Sequence, residues 1–347
     1  MAVLGYNAHM NAYKKPPKLK KGDTVGIIAP SDAVERKYVQ EGAAVLESWG
    51  LKVKFGKHIY AQIGDFAAGT PEERRSDLVK MINDAQVKAI WMAQGGYAAT
   101  EVLPAFSREI VAALKHTPKW FVGYSDSCVL LNSLFSFKVI GGVHGPNLSG
   151  FPSWDEETRE WLKKILFTTQ HLEIGSGLNW LSHIYGRAEG RLLVSNLEGL
   201  VLLLGTRFDP LMHCNDDIIL GIEEWWVDKS TLQRQVDTIL NHKRANLIKG
   251  IILGRFAGVA EQSYPEWGKK VTTERLIESR VRMQKPNTPL ASLYEFGHVL
   301  DKNWFQRKLL PKKDRFISTP NGIWTQLIVD SSSANLKFLE SASNTHK

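Results

Sequence analysis

The segment WFVGYSDSCVLLNSLF, residues 120–135, decides the fold. It opens with an apolar run of strand length that stops at Gly123, and helical sequence follows from about residue 127 to 137. Only Tyr124, Ser125 and Asp126 separate the two. A strand that feeds a helix through so short a connection is half of a βαβ unit, and the same unit recurs on both sides. Upstream, residues 24–29 (TVGIIA) read as a buried strand broken by Pro30, Ser31 and Asp32. A helix over 34–49 follows, with Val39, Ala43 and Leu46 on one side and Gly50 as its stop. Residues 52–55 form a short strand. Thr70-Pro71-Glu72-Glu73 then supplies an N-cap, a proline at the first helical position and acids in the first turn, starting a helix to about Asn83. Residues 89–92 are the next strand, and a helix is expected over 100–114. Downstream, 139–143 is a fifth strand, ending in His144-Gly145-Pro146. Five strands alternating with helices are the pattern of an open, doubly wound parallel sheet.

The alternation stops near residue 151. A helix over 155–166 closes the N-terminal domain (18–165), and the polar, Gly-rich stretch 166–185 is expected as a linker. From 186 to 335 a second, mixed α/β domain is expected. Its strands fall at 190–194, 218–222, 250–254, 290–294 and 324–330, and its helices at 196–204, 231–241 and 272–282.

The chain has 347 residues, 43% hydrophobic and 23% charged, which suits a globular protein of two domains and excludes a disordered or collagen-like one. The longest apolar run, 200–204, is strand-sized, so no bilayer span is expected. The N-terminus lacks a secretory pattern, and a cytoplasmic location is expected. The two cysteines, Cys128 and Cys214, form neither a disulfide framework nor a metal-ligand spacing. The net charge of +8 is spread along the chain. Its clusters (Lys14, Lys15, Lys18, Lys20 and Lys21 early; Lys308, Lys312, Lys313 and Arg315 late) lack interleaved aromatics, so they read as solvated surface plus a loose N-terminal arm, not a nucleic-acid site.

Ligands of open parallel sheets bind beyond the carboxyl ends of the strands. There, Gly123-Tyr124-Ser125-Asp126-Ser127 approaches the G-x-S-x-G nucleophile elbow, with Ser127 in place of the second glycine. The alternative is a serine that caps the following helix. Gln94-Gly95-Gly96-Tyr97, at the preceding strand end, lets backbone N–H groups approach an anion or oxyanion; a plain tight turn is the alternative. Neither G-x-G-x-x-G after the first strand nor a P-loop is present. A nucleophilic serine needs a base and an orienting acid. Among ten histidines, His9, His346, His116, His171 and His242 read as surface residues, while His144, at a strand end in the first domain, and His298, just behind a glycine in the second, are the candidate bases. Glu223 and Glu224, at the end of an apolar strand, are both candidates for the acid.

Taken together these motifs resemble the LD-carboxypeptidase family of serine peptidases, which includes muramoyltetrapeptide carboxypeptidase and the microcin C immunity peptidase. The resemblance spans residues 18–320. It rests on Ile28-Ala29-Pro30-Ser31, the 69–74 helix start, Gly95-Gly96-Tyr97, Gly123-Tyr124-Ser125-Asp126, His144-Gly145-Pro146, Asn196-Leu197, Gly205-Thr206, Ile222-Glu223-Glu224 with Leu232 and Arg234, and Phe296-Gly297-His298. It implies a triad of Ser125, Glu223 and His298, oxyanion donors at the Gly96 and Asp126 amides, and a structural or pocket role for His144. Gly95, Tyr97, Trp225 and Trp226 are then expected at the substrate.

The fold implied is α/β, an N-terminal flavodoxin-like sheet with a mixed C-terminal domain. The activity implied is metal- and cofactor-independent release of terminal D-alanine from a murein tetrapeptide, in peptidoglycan recycling, by a homodimer. Gln94, Ala98, Ser195, Ser127-Cys128 and Trp225-Trp226 depart from the family pattern near the mouth of the site. They leave open a peptidyl-nucleotide antibiotic as substrate. A non-catalytic ligand-binding module is the reading from another class.

Overall fold

The computed structural model describes residues 13–259, 271–299 and 315–344. His9, His346, Lys308, Lys312 and Lys313 lie outside the described residues. The first sheet is built from β1 (Thr24–Ile28), β2 (Lys52–Phe55), β3 (Val87–Met92), β4 (Trp120–Gly123) and β5 (Gly142–His144), all parallel. Their spatial order, β5-β4-β3-β1-β2, is that of a doubly wound flavodoxin-like sheet. The helices between and after them are α1 (Arg36–Ser48), α2 (Pro71–Asn83), α3 (Arg108–His116), α4 (Cys128–Ser136) and α5 (Glu156–Phe167). Helix α2 starts where its sequence directs. Thr70 Oγ1 accepts from Glu73 N–H at 3.2 Å, and the Glu73 carboxylate accepts from Thr70 N–H at 2.9 Å.

The helix expected over 100–114 is instead two pieces, a 3₁₀ turn (Ala99–Ala105) and α3. Pro104 has no N–H to donate and crowds the preceding turn, so one α-helix cannot run through it. Ser107 recaps the chain by accepting from Ile110 N–H. The fifth strand begins three residues later than expected because Ile140 N–H donates instead to Lys14 O at 2.7 Å. The N-terminal arm is thus not loose from Tyr13 onward. Lys14 N–H bonds Lys138 O, Lys18 N–H bonds Asn344 O, and Lys15 pairs with Glu340 at 2.8 Å.

The second sheet has eight strands. These are β6 (Glu173–Ile174), β7 (Trp180–Ile184), β8 (Gly186–Asn196), β9 (Ile218–Trp225), β10 (Ile248–Ala257), β11 (Leu290–Leu293), β13 (Trp324–Val329) and β14 (Ala334–Phe338). Strands β8 to β11 are parallel, and antiparallel strands flank them on both sides. Helices α6 (Leu197–Val201), α7 (Pro210–His213), α8 (Lys229–Leu240) and α9 (Thr273–Gln284) complete this mixed α/β unit. The stretch 166–185, expected as a linker, carries β6 and β7, the two edge strands of this sheet. The short β12 (Thr319–Pro320) crosses back and pairs antiparallel with β5.

Helix α4 lies where the two sheets meet, and all nine of its residues are buried. The carboxyl end of β8 abuts it directly. Asn196 N–H donates to Cys128 Sγ at 3.2 Å, and Asn132 donates to Ser195 Oγ at 2.7 Å. The turn after β4 is therefore pressed against the second sheet. Among the described residues no helix is long and apolar enough to cross a membrane.

Candidate active site

Ser125 opens the short 3₁₀ turn (Ser125–Ser127) that joins β4 to α4, with Tyr124, not Ser125, at its cap. Its φ is +63°, the left-handed region that a non-glycine residue occupies only at a cost of about 1 to 3 kcal/mol. Asn147 fixes the preceding residue from both sides. Its Oδ1 accepts from Tyr124 N–H at 3.2 Å, and its Nδ2 donates to Tyr124 O at 3.3 Å. Only a carboxamide offers both functions in one plane. The crowding around the turn explains its small neighbours. A Cβ on Gly95 would lie 3.0 Å from Ser125 Cβ, and one on Gly123 would lie 3.0 Å from Ser127 Cβ. The sequence marks Gly95 and Gly123 but gives no separate sign of Asn147 beyond its place just after His144-Gly145-Pro146.

The two adjacent acids diverge because β9 continues past the expected end at 222, through Trp225, and successive side chains of a strand point to opposite faces. Glu224 turns to α6. It accepts from Asn196 Nδ2, Glu198 N–H and Trp225 N–H, each at 2.8 Å. Burial, with Glu223 next to it, pushes its carboxyl up to about 7. Glu223 is fully buried and meets two imidazoles. His298 Nδ1 lies 2.5 Å from its Oε2, which also accepts from His298 N–H at 3.1 Å. His144 Nε2 lies 3.4 Å from its Oε1. Burial alone would raise this carboxyl, but the two histidines outweigh it and hold it down at about 2. Gly297 makes the close approach possible. Its φ is +92°, and a Cβ there would sit 2.5 Å from Glu223 Cβ.

His298 packs against the residue before Ser125, with the ring of Tyr124 4.8 Å from its own. The Trp225 ring also stacks on it, at 6.0 Å and 20°. Trp226 is 62% exposed beside Trp225, and Tyr97 is 66% exposed on the glycine loop. Residues 97–99 of that loop are held amide by amide. Asp32 accepts from Tyr97 N–H at 2.9 Å, Ser31 Oγ from Ala98 N–H at 3.2 Å, and Asp126 from Ala99 N–H at 2.8 Å. Ser31 Oγ donates to Asp126 as well. Burial, chiefly, pushes the Asp126 carboxyl up to about 6. Asp32 was legible only as part of the polar break after the first strand, and Ser31 beyond that only as the end of the Ile28-Ala29-Pro30-Ser31 motif. Gly96, at φ +136°, leaves no room for a Cβ against Asp32.

Among the described residues, no group of three or more His, Cys, Asp or Glu side chains is placed to hold a metal ion. A surface groove of about 680 Å³ between Arg187, Asp217, Lys249 and Lys285 lies at the amino ends of β8, β9 and β10. That is the opposite end of the strands from the paired acid and imidazoles, and the end at which parallel sheets do not bind ligands.

Residues 25–145 match the LD-carboxypeptidase N-terminal domain, and residues 189–306 the LD-carboxypeptidase C-terminal domain. The murein tetrapeptide carboxypeptidase of Pseudomonas aeruginosa is 28% identical over 67% of this chain and 76% of its own. The microcin C7 self-immunity protein MccF of Escherichia coli is 24% identical over 68% of this chain and 76% of its own. The crystal structure of an MccF-like protein from Bacillus anthracis shares the fold. It superposes with a TM-score of 0.76 over 94% of this chain and 99% of its own, at 24% identity.

Proposed function

The chain belongs to the LD-carboxypeptidase family, and from that premise we propose that it is a serine peptidase cutting the L,D amide bond that releases terminal D-alanine from a murein tetrapeptide. Ser125 Oγ attacks the scissile carbonyl while His298 Nε2 takes its proton. Glu223 accepts a hydrogen bond from His298 Nδ1–H, fixing the tautomer and stabilising the imidazolium that forms. The proton passes to the leaving D-alanine amine, and water then hydrolyses the acyl-serine by the same route in reverse. The oxyanion is received by the Gly96 and Asp126 amides. The second of these falls in the first turn of a helical segment, where N–H groups have no partner within the helix. Gly95 and Tyr97 line one wall and Trp225 and Trp226 the other. The reading places the enzyme in the cytoplasm as a homodimer that recycles wall peptides.

The observation that carries this reading is the Glu223–His298 pair, 2.5 Å apart and buried, set against the turn that holds Ser125 at positive φ. The test is incubation with a murein tetrapeptide, with free D-alanine followed by mass spectrometry. Release by the parent and none by Ser125→Ala is expected, with an L,L counterpart cut far more slowly because the side chain on the leaving residue is inverted. Equal cleavage of both diastereomers would sink the LD assignment. The exposed Trp226 indole next to Trp225 favours one second reading, a peptidyl-nucleotide amide whose base stacks there. Faster turnover of such an amide than of the tetrapeptide would select it.

A further inference from the structure

Glu223 is held from two domains at once, and the mechanism above uses only one of its contacts. His298 grips Oε2 from the second domain, while His144, the last residue of β5, reaches Oε1 from the first. His144 is wholly buried. Its ring stacks on Phe316 at 5.4 Å and meets the edges of Phe296 at 5.0 Å and Tyr124 at 6.0 Å. Among the described residues, nothing bonds its Nδ1. Thr319, paired with His144 across the β5–β12 ladder, has a hydroxyl that is likewise buried and unpartnered. A ring nitrogen walled in by phenyl groups is a poor place for an N–H, because a buried donor without an acceptor carries its full desolvation penalty. The ring proton therefore belongs on Nε2, the one nitrogen that faces a carboxylate.

We infer that His144 is a positioning residue for the acid: an imidazole protonated on Nε2 that donates to Glu223 Oε1 across the domain boundary. This rests on the reading of Ser125, Glu223 and His298 as nucleophile, acid and base. A carboxylate pinned at one oxygen can still swing about its Cγ–Cδ bond. Pinned at both, it presents Oε2 to His298 in one orientation, and that orientation is tied to β5, whose neighbour β4 carries Ser125. The contact thus registers the acid–base pair of one domain against the nucleophile of the other. It touches no substrate atom, so its effect belongs in turnover, not in binding.

The test compares His144→Phe, which keeps the ring and loses the donor, with His144→Gln, whose side-chain N–H reaches the position of Nε2. For Phe, kcat should fall about 10- to 100-fold, the range of one hydrogen bond to a charged group, with KM near the parent value. Gln should recover most of that loss. In a Glu223→Gln background the His144→Phe change should cost little more, because the bond it removes is already altered. ¹⁵N-edited NMR of the imidazoles should show His144 with its proton on Nε2, whatever the substrate proves to be. A folded His144→Phe enzyme with parental kcat, or a His144 protonated on Nδ1, would overturn the inference. Failure of the serine-peptidase reading looks different. Ser125→Ala would keep its turnover while the NMR result stood.

Discussion

Removing Ser125 or His298 should each cost as much as removing both, on the order of 10⁴ to 10⁶ in kcat, because a nucleophile and its base work as a unit. Glu223→Gln should cost less than either, since it spoils the orientation and stabilisation of the imidazole and leaves the nucleophile in place. Single-turnover measurements on the four variants check the order. The backbone at Ser125 gives a second prediction. Its φ of +63° suits glycine, so Ser125→Gly should melt at or above the parent while losing all turnover, and Ser125→Val should melt lower. Thermal denaturation of both, beside the parent, tests whether the turn stores strain. At this scale the sequence was partly legible. Gly123 and Gly297 carried their meaning because glycine answers a steric demand at each, and Ser125 because a hydroxyl stands at a strand-to-helix turn. The choice between His144 and His298 was not decidable by residue type, since both follow apolar strands. It depends on how the two rings sit around Glu223, and both reach it.

Strand β9 shows why the pair Glu223-Glu224 could not be resolved without a register. The two acids differ by one position, and a strand sends neighbours to opposite faces, so each side of β9 receives one carboxyl. Their shifts are opposed, and this fixes the pH dependence of stability. Glu224 is raised from 4.5 to about 7 and Asp126 from 3.8 to about 6. Between the ordinary and raised values the folded chain binds more protons than the unfolded one, so stability falls as pH rises through that window. Glu223, lowered to about 2, contributes stability that is present above 4.5 and lost as pH falls through 2. The melting temperature should therefore decline on both sides of about pH 4.5. Glu224→Gln should flatten the decline between pH 5 and 7, worth on the order of 3 kcal/mol, even though it melts lower overall. A melting temperature that climbs from pH 5 to 7 in the parent would contradict the buried, proton-retaining state of Glu224. Helix α2 supplies a control. Thr70→Ala removes its capping box and should cost about 1 kcal/mol of stability, read as a lower melting temperature at every pH in that window. That helix was legible because its cap is local. Strands β6 and β12, two residues each, have no periodicity to read, and their pairing is entirely non-local. Strand β14 did carry a signal: Ala334, Leu336 and Phe338 alternate as buried residues with Asn335 and Lys337.

At the scale of the molecule the two sheets are fastened at more than the active site. Strand β12 leaves the second unit to pair with β5, helix α4 is buried on every side between them, and the arm at 14–18 ties residues 138–140 to Asn344. Such interlocking predicts a single cooperative unfolding transition in calorimetry, with matched calorimetric and van't Hoff enthalpies. Two resolved transitions would show that the halves melt independently. The doubly wound order of the first sheet was legible because every crossover is local, strand to helix to strand. The fastening was not, since it joins residues at opposite ends of the chain. That return of the chain also sets a clock for the newborn protein. Synthesis runs from the N-terminus at roughly 5 to 20 residues per second, so the first five strands and Ser125 emerge on the order of ten seconds before β12 can close their edge. Glu223 and His298 arrive within the same interval. A chain under synthesis therefore holds Ser125 before Glu223 and His298 exist, and keeps the β5 edge beside His144 open for longer still.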